Sequence, residues 1–235
     1  MRKFLGLLIL AIGLNAGEVY ATFNVTADKS ANLAFDASGI VQKVNVDISS
    51  VVKKGAVLAV LENSDIKAQL DSAKTTFKYA KADYDRQVQI KNLIDAGKFD
   101  TYAYKYEDAK NKVAYQEALY NKTFLRAPFD GVIFFKDIEV GDTVSGMMLK
   151  TVFKIQTQSK RKLVVEFDQK YHTQVKVGQK FKYSIDGDTS LHEGVISKIY
   201  PRADDESRKI KAEVIVKDLM VGLFGSGTII TDAKE

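Results

Sequence analysis

The chain has 235 residues, 46% of them hydrophobic, which is enough to bury at least one sizeable core. It contains no cysteine, which excludes disulfides and a lipid-modified N-terminal thiol, so packing has to supply the stability. The formal charge of +5 comes from interspersed lysines and acids with no block of like charges, and this argues against nucleic acid as a partner.

Residues 1–21 read as a cleavable secretory leader. Arg2 and Lys3 form its charged start, Phe4 to Leu14 its apolar stretch, and Val19-Tyr20-Ala21 a small-residue cleavage pattern. The apolar stretch is shorter than the roughly twenty residues of a membrane-spanning helix. An uncleaved anchor is the alternative reading. Residues 22–35 are expected to be a strand segment joining the C-terminal β region.

A sequence then appears twice. The first copy runs from Gly39-Ile40-Val41 to Val52-Lys53-Lys54-Gly55, and the second from Gly131-Val132-Ile133 to Val140-Gly141-Asp142-Thr143-Val144. Setting Gly39 on Gly131 places Val52 on Val144 without a gap. Each copy is a set of short alternating strands too small to bury a core alone, so the two halves, 36–63 and 123–157, must face each other.

Between the copies, over 64–122, the period changes from two to heptad-like. Asn63 or Ser64 starts a helix with Asp65 at its positive end. Ile66, Leu70, Ala73, Phe77, Ala80 and Tyr84 line one face at alternating steps of four and three, the seam of a coiled coil. Asp95-Ala96-Gly97 reads as the stop, with Gly97 left-handed and Asp100 capping the next helix. Tyr102, Tyr106, Ala109, Val113, Gln116 and Tyr120 repeat the seam, and Pro128 forbids continuation. Two long helices joined by a short turn run antiparallel. The narrow seam favours a projecting arm over a hairpin folded back on its own domain, because a docked helix has a wider apolar face.

The remaining segment, 158–231, carries short strands punctuated by Gly178 and Gly194 and reads as a barrel or sandwich, with 232–235 as a tail. No catalytic set is legible. The two histidines, His172 and His192, lack a helical pairing and any cysteine partner, so no metal site is expected. Met147 and Met148 are read as strand packing, and Asp204-Asp205-Glu206 as a solvated loop. No enzyme and no cofactor are expected.

In this order and spacing, residues 36–231 resemble the periplasmic adaptor family of tripartite export systems, also called membrane fusion proteins (HlyD and RND efflux adaptor subunits). The resemblance implies a mixed α and β fold: split lipoyl-like β-sandwich half-motifs flanking an antiparallel coiled-coil α-hairpin, followed by a β-barrel domain. It implies an exported protein of the Gram-negative periplasm, peripheral to the inner membrane. Such a protein joins an inner-membrane efflux transporter to a TolC-like outer-membrane channel, as a homo-oligomer forming a six-membered ring. By analogy an RND transporter is favoured over an ATP-driven one.

The family touches its channel through the hairpin tip, and the matching positions here are Gln89, Ile90, Leu93, Phe99 and Asp100. Gln89 stands where the family has Arg, and Asp100 where it has Ser. Asp100 reads equally as a helix cap, and Leu93 and Phe99 equally as closing the hairpin end. The membrane-proximal domain of larger members is expected to be absent or vestigial. A modified swinging-arm carrier is not expected, because Met147-Met148-Leu149-Lys150 lacks a Met-Lys-Met arrangement. The alternative function is a periplasmic ligand- or metal-binding carrier.

Overall fold

The computed structural model describes residues 17–188 and 190–232. In chain order, β1 (Gly17–Ala27), β2 (Ser30–Leu33), β3 (Gly39–Val44), β4 (Val51–Val52) and β5 (Val57–Leu61) lead into α1 (Ser64–Gln89) and α2 (Ala96–Lys122). Next come β6 (Phe124–Arg126), β7 (Gly131–Lys136), β8 (Thr143–Val144), β9 (Phe153–Gln156) and β10 (Lys160–Asp168). The last strands are β11 (Lys180–Ile185), β12 (His192–Ala203), β13 (Lys209–Lys217) and β14 (Phe224–Thr231). The described chain divides into two compact units, residues 30–156 and the flanking segments 17–29 and 157–232.

The 30–156 unit is built on the internal repeat. Its two four-stranded sheets have the orders β2-β9-β7-β4 and β6-β5-β3-β8, so each combines two strands from before the helices with two from after them, the two-residue β4 and β8 being lent across at the sheet edges. Gly39 pairs with Val144, and Gly131 pairs with Val52. The exchange is reciprocal down to single hydrogen bonds. Val41 N donates to Asp142 O (2.8 Å) while Ile133 N donates to Ser50 O (3.0 Å). Gly146 N donates to Ser38 Oγ (3.0 Å) while Lys54 N donates to Asp130 Oδ1 (2.7 Å). Val41, Leu58, Leu61, Ile133, Phe153 and Ile155 form the buried core between the sheets, so neither half keeps a core without the other. Residues 30–35, expected to join the barrel region, belong here instead: β2 pairs with β9, and Phe35 enters this core.

The turn before each lent strand shows what the repeat demands. Ser49 has φ 72° and its counterpart Gly141 has φ 95°. A left-handed residue costs an L-amino acid roughly 1–2 kcal/mol, and a glycine nothing. Ser49→Gly is therefore expected to stabilise the protein by about 0.5–1 kcal/mol and Gly141→Ala to destabilise it by about 1 kcal/mol or more. Urea denaturation of the two variants checks this; shifts of the same sign contradict the equivalence of the turns.

The helices leave and re-enter the sheets at one point. Asn63 precedes α1, yet its side chain makes no cap; Asn63 Nδ2 donates to Thr123 Oγ1 (2.8 Å) and ties the two helix bases together. The expected seam is the observed one: Leu70 and Ala109 are buried, and the other seam positions are half-buried. Phe77 and Tyr84 both lie against Tyr106, with ring centroids 5.7 and 4.9 Å apart. Lys74 and Glu117 bridge the helices at 3.1 Å. The helices pack chiefly on each other, and at 1.5 Å per residue their 26 and 27 residues each span about 40 Å.

The other unit is a closed six-stranded barrel in the order β1-β10-β13-β12-β11-β14, filled by Phe23, Phe167, Phe181, Tyr183, Leu163, Ile196 and Ile229. The expected leader boundary at Ala21 falls within the first barrel strand. β1 starts at Gly17, and Val19 and Ala21 are each 1% exposed inside the barrel. An alternation of apolar and polar residues ending in alanine satisfies a cleavage pattern and a strand alike. Residues 1–16, which carry most of the expected 1–21 leader, lie outside the described residues.

On the barrel's outer face, the Glu213 side chain is 8% exposed. Lys162 Nζ (2.9 Å) and Tyr200 OH (2.8 Å) both donate to its Oε1. Burial pushes the carboxyl pKa up, but the Lys162 and Tyr200 hydrogen bonds and the charges of Lys162 and Lys198 outweigh it, and the pKa lies below 4.5. A lowered folded-state pKa contributes stability above the unfolded value that is lost as pH falls through the folded one. Glu213→Gln is accordingly expected to cost about 2 kcal/mol at pH 7, with the gap to wild type narrowing below about pH 4.5. Denaturation midpoints at pH 7 and pH 3.5 measure it, and a gap that widens on acidification contradicts it.

Candidate functional site at the hairpin tip

The hairpin turn is set by residues 90–95. Ile90 ends α1, a single 3-10 turn covers Lys91–Leu93, and Leu93 N donates to Ile90 O at 2.8 Å. Asp95 then caps α2, its carboxylate accepting from Lys98 N at 3.1 Å. This corrects the expected stop. Gly97 lies in the first turn of α2 with no positive φ, and Asp100 lies inside the helix rather than at its cap. The reason is local: an aspartate two residues before a glycine serves a helix start as well as a helix end, and the Asp95–Lys98 hydrogen bond selects the start.

The five candidate residues do not form one patch. Gln89, Ile90 and Leu93 are exposed at the end of the arm, and Leu93 at 83% is among the most exposed apolar residues described. Phe99 turns inward; its ring centroid lies 5.7 Å from that of Tyr84 and extends the aromatic ladder of the seam. Lys91 Nζ sits 4.8 Å from the centre of the Phe99 ring, so an ammonium covers the ring on the tip side. Asp100 is exposed on α2. Sequence reasoning missed Lys91 and Asp95. The Asp95 cap was signalled by its position just before a helix; the Lys91 contact depends on the fold of the turn and had no signal.

The tip is therefore an apolar point, Ile90 and Leu93, mounted on a turn fixed by backbone hydrogen bonds. An exposed leucine at the end of the arm has no packing role within the described unit.

Met147 and Met148, expected to pack in a strand, are instead 89% and 78% exposed in the connection between β8 and β9. A cleft of about 380 Å³ next to them is lined by Phe35, Ile138, Val144 and Met148. Among the described residues, no group of three His, Cys, Asp or Glu side chains is arranged to hold a metal ion, and no helix is long and apolar enough to cross a membrane.

Comparison with known proteins matches residues 29–156 to the family of the CzcB-like barrel-sandwich hybrid domain. The chain is 26% identical over 204 residues to the cobalt-zinc-cadmium resistance protein CzcB of Cupriavidus metallidurans; the match covers 80% of this chain and 39% of that protein. It thus spans about two fifths of the length of this relative. Among solved structures, it superposes with TM-score 0.83 at 21% identity on a MacA-MexA chimera that carries the Pseudomonas aeruginosa MexA α-hairpin. That match covers 93% of this chain and 84% of the chimera. It also superposes with TM-score 0.72 at 20% identity on MacA of Actinobacillus actinomycetemcomitans, covering 94% and 80%.

Proposed function

The chain belongs to the CzcB-like barrel-sandwich hybrid family of membrane fusion proteins, the periplasmic adaptors of efflux systems, and from that premise we infer that it links an inner-membrane transporter to an outer-membrane channel. The transporter in this reading is of the RND type and the channel is TolC-like. The chain works as a homo-oligomeric ring in the periplasm of a Gram-negative bacterium, peripheral to the inner membrane. It catalyses no reaction; its task is to seal a conduit.

The observation that carries this reading is the hairpin. Two helices of 26 and 27 residues, matched along one narrow seam, hold the Ile90–Leu93 apolar point about 40 Å from the sheets. We read the pair as a coiled coil, and the exchanged half-motifs as a lipoyl-like platform that fixes the angle at which it leaves. Ile90 and Leu93 insert into the channel, Gln89 and Asp100 flank them, and Phe99 with Lys91 stiffens the turn.

The test is co-purification from crosslinked cells expressing the tagged full-length chain. Recovery of both an integral inner-membrane transporter and an outer-membrane channel supports the adaptor role; recovery of neither sinks it. The same cells, with and without the gene, can be challenged with metal salts. Cobalt, zinc and cadmium are the cations in the name of the CzcB relative and the first to try.

A further inference from the structure

The first strand of the barrel fixes where the leader must end. We propose that the exported chain is processed by a signal peptidase between Ala16 and Gly17, so that the mature protein begins on the first residue of β1. This inference rests on the export reading above.

β1 pairs on one edge with β14, from Gly17↔Thr231 to Asn24↔Phe224, and on the other with β10, from Ala21↔Phe167 to Ala27↔Arg161. It is the strand that closes the barrel. Residues 17–21 supply more than half of its pairing to β14, and Val19 stands opposite the fully buried Ile229. Cutting after Ala21 removes Val19 and Ala21 from the core and strips the partner from the Gly227–Thr231 half of β14. It also removes Gly17 O, which accepts from the buried Thr231 hydroxyl at 3.0 Å. A bare β14 edge beside an opened core is a template for aggregation rather than a mature protein.

The cut therefore lies at or before Gly17, and the sequence leaves few choices. A signal peptidase needs a small residue on the leader side of the cut, beyond the apolar stretch. Gly13 and Ala11 lie inside the Phe4–Leu14 stretch, whereas Ala16 follows it, separated by the polar Asn15. Hydrolysis of the Ala16–Gly17 peptide bond consumes one water, leaving a carboxylate on Ala16 and an amino group on Gly17. The position has a consequence for assembly. With no spare residues between leader and strand, an unprocessed barrel is held directly at the membrane surface.

The experiment is intact-mass and N-terminal sequencing of the full-length chain, carrying only a C-terminal tag, recovered from the periplasm. A start at Gly17 is the expected result; a start at Thr22, at Met1 or anywhere else overturns the assignment. Fractionation separates this failure from that of the export reading. A Met1 start confined to the cytosol overturns export itself, whereas a Thr22 start, or a Met1 start at the periplasmic membrane face, overturns the cut alone. In a second arm, Ala16→Lys is expected to abolish the mature species and leave the barrel with the membrane fraction. Continued appearance of a Gly17 start in that variant contradicts the proposal.

Discussion

Replacing Leu93 by aspartate is expected to abolish export function while leaving the protein folded. Leu93 is 83% exposed, its side chain supports nothing in the described unit, and its backbone N–H keeps the hydrogen bond to Ile90 O whatever side chain it carries. Surface substitutions of this kind change stability by no more than about 0.5 kcal/mol. At a docking point the same change places a charge in an apolar pocket. Loss of a hot-spot residue costs about 2 kcal/mol or more, a reduction in affinity of roughly thirtyfold. Two readouts check it: the melting temperature of the variant, expected unchanged, and complementation of a deletion strain under toxic load, expected lost. Full complementation by Leu93→Asp would remove the tip from the account. Phe99→Ala provides the contrast. It removes a ring packed at a tilt against Tyr84 and covered by Lys91, so it loosens the turn and weakens both readouts together.

The largest effect on stability is expected from Phe23→Ala. Phe23 is buried in the barrel with its ring edge-on to Phe181 (5.9 Å) and to Tyr183 (5.2 Å), which themselves stack at 5.5 Å. Deleting it costs the transfer energy of the ring, the edge-to-face contacts and the cavity left among neighbours that cannot collapse, about 3–5 kcal/mol in all. Domains of this size are stable by only about 5–15 kcal/mol, so the barrel is expected to unfold at a much lower denaturant concentration. A loss below about 1 kcal/mol would mean that the three rings do not share one core.

What the sequence made legible, and what it did not, follows from which signals are redundant. The hairpin was readable because twelve seam positions repeat one period, and no single ambiguous residue can disturb it. The paired halves were readable because the second copy checks the first. The Gly39–Val144 and Gly131–Val52 pairings are what an exact superposition of two interlocked units requires. Punctuation carries no such redundancy. Asp95-Ala96-Gly97 satisfies the rules for a helix end and a helix start, and only the carboxylate's hydrogen bond to Lys98 N decides.

Val19-Tyr20-Ala21 is likewise a cleavage pattern and an in–out strand segment. Its strand character depends on β14 and β10, far along the chain. Met147 and Met148 misled for a related reason. The repeat is followed faithfully up to Gly146, but the second half takes a longer connection to its next strand, and Met147, Met148 and Leu149 stand in solvent there. At the candidate site the apolar character of Ile90 and Leu93 was legible. The inward turn of Phe99 and the ammonium over its ring were not, because both depend on the three-dimensional course of residues 90–95.

The hairpin tip is expected to meet an outer-membrane channel. The most direct measurement is site-specific photo-crosslinking in living cells, with the probe at Leu93 and a control probe at Tyr79, which is exposed midway along α1. A crosslinked species containing an outer-membrane channel is expected from position 93 and none from position 79. Absence of any channel adduct from position 93, with the protein confirmed in the periplasm, would contradict it.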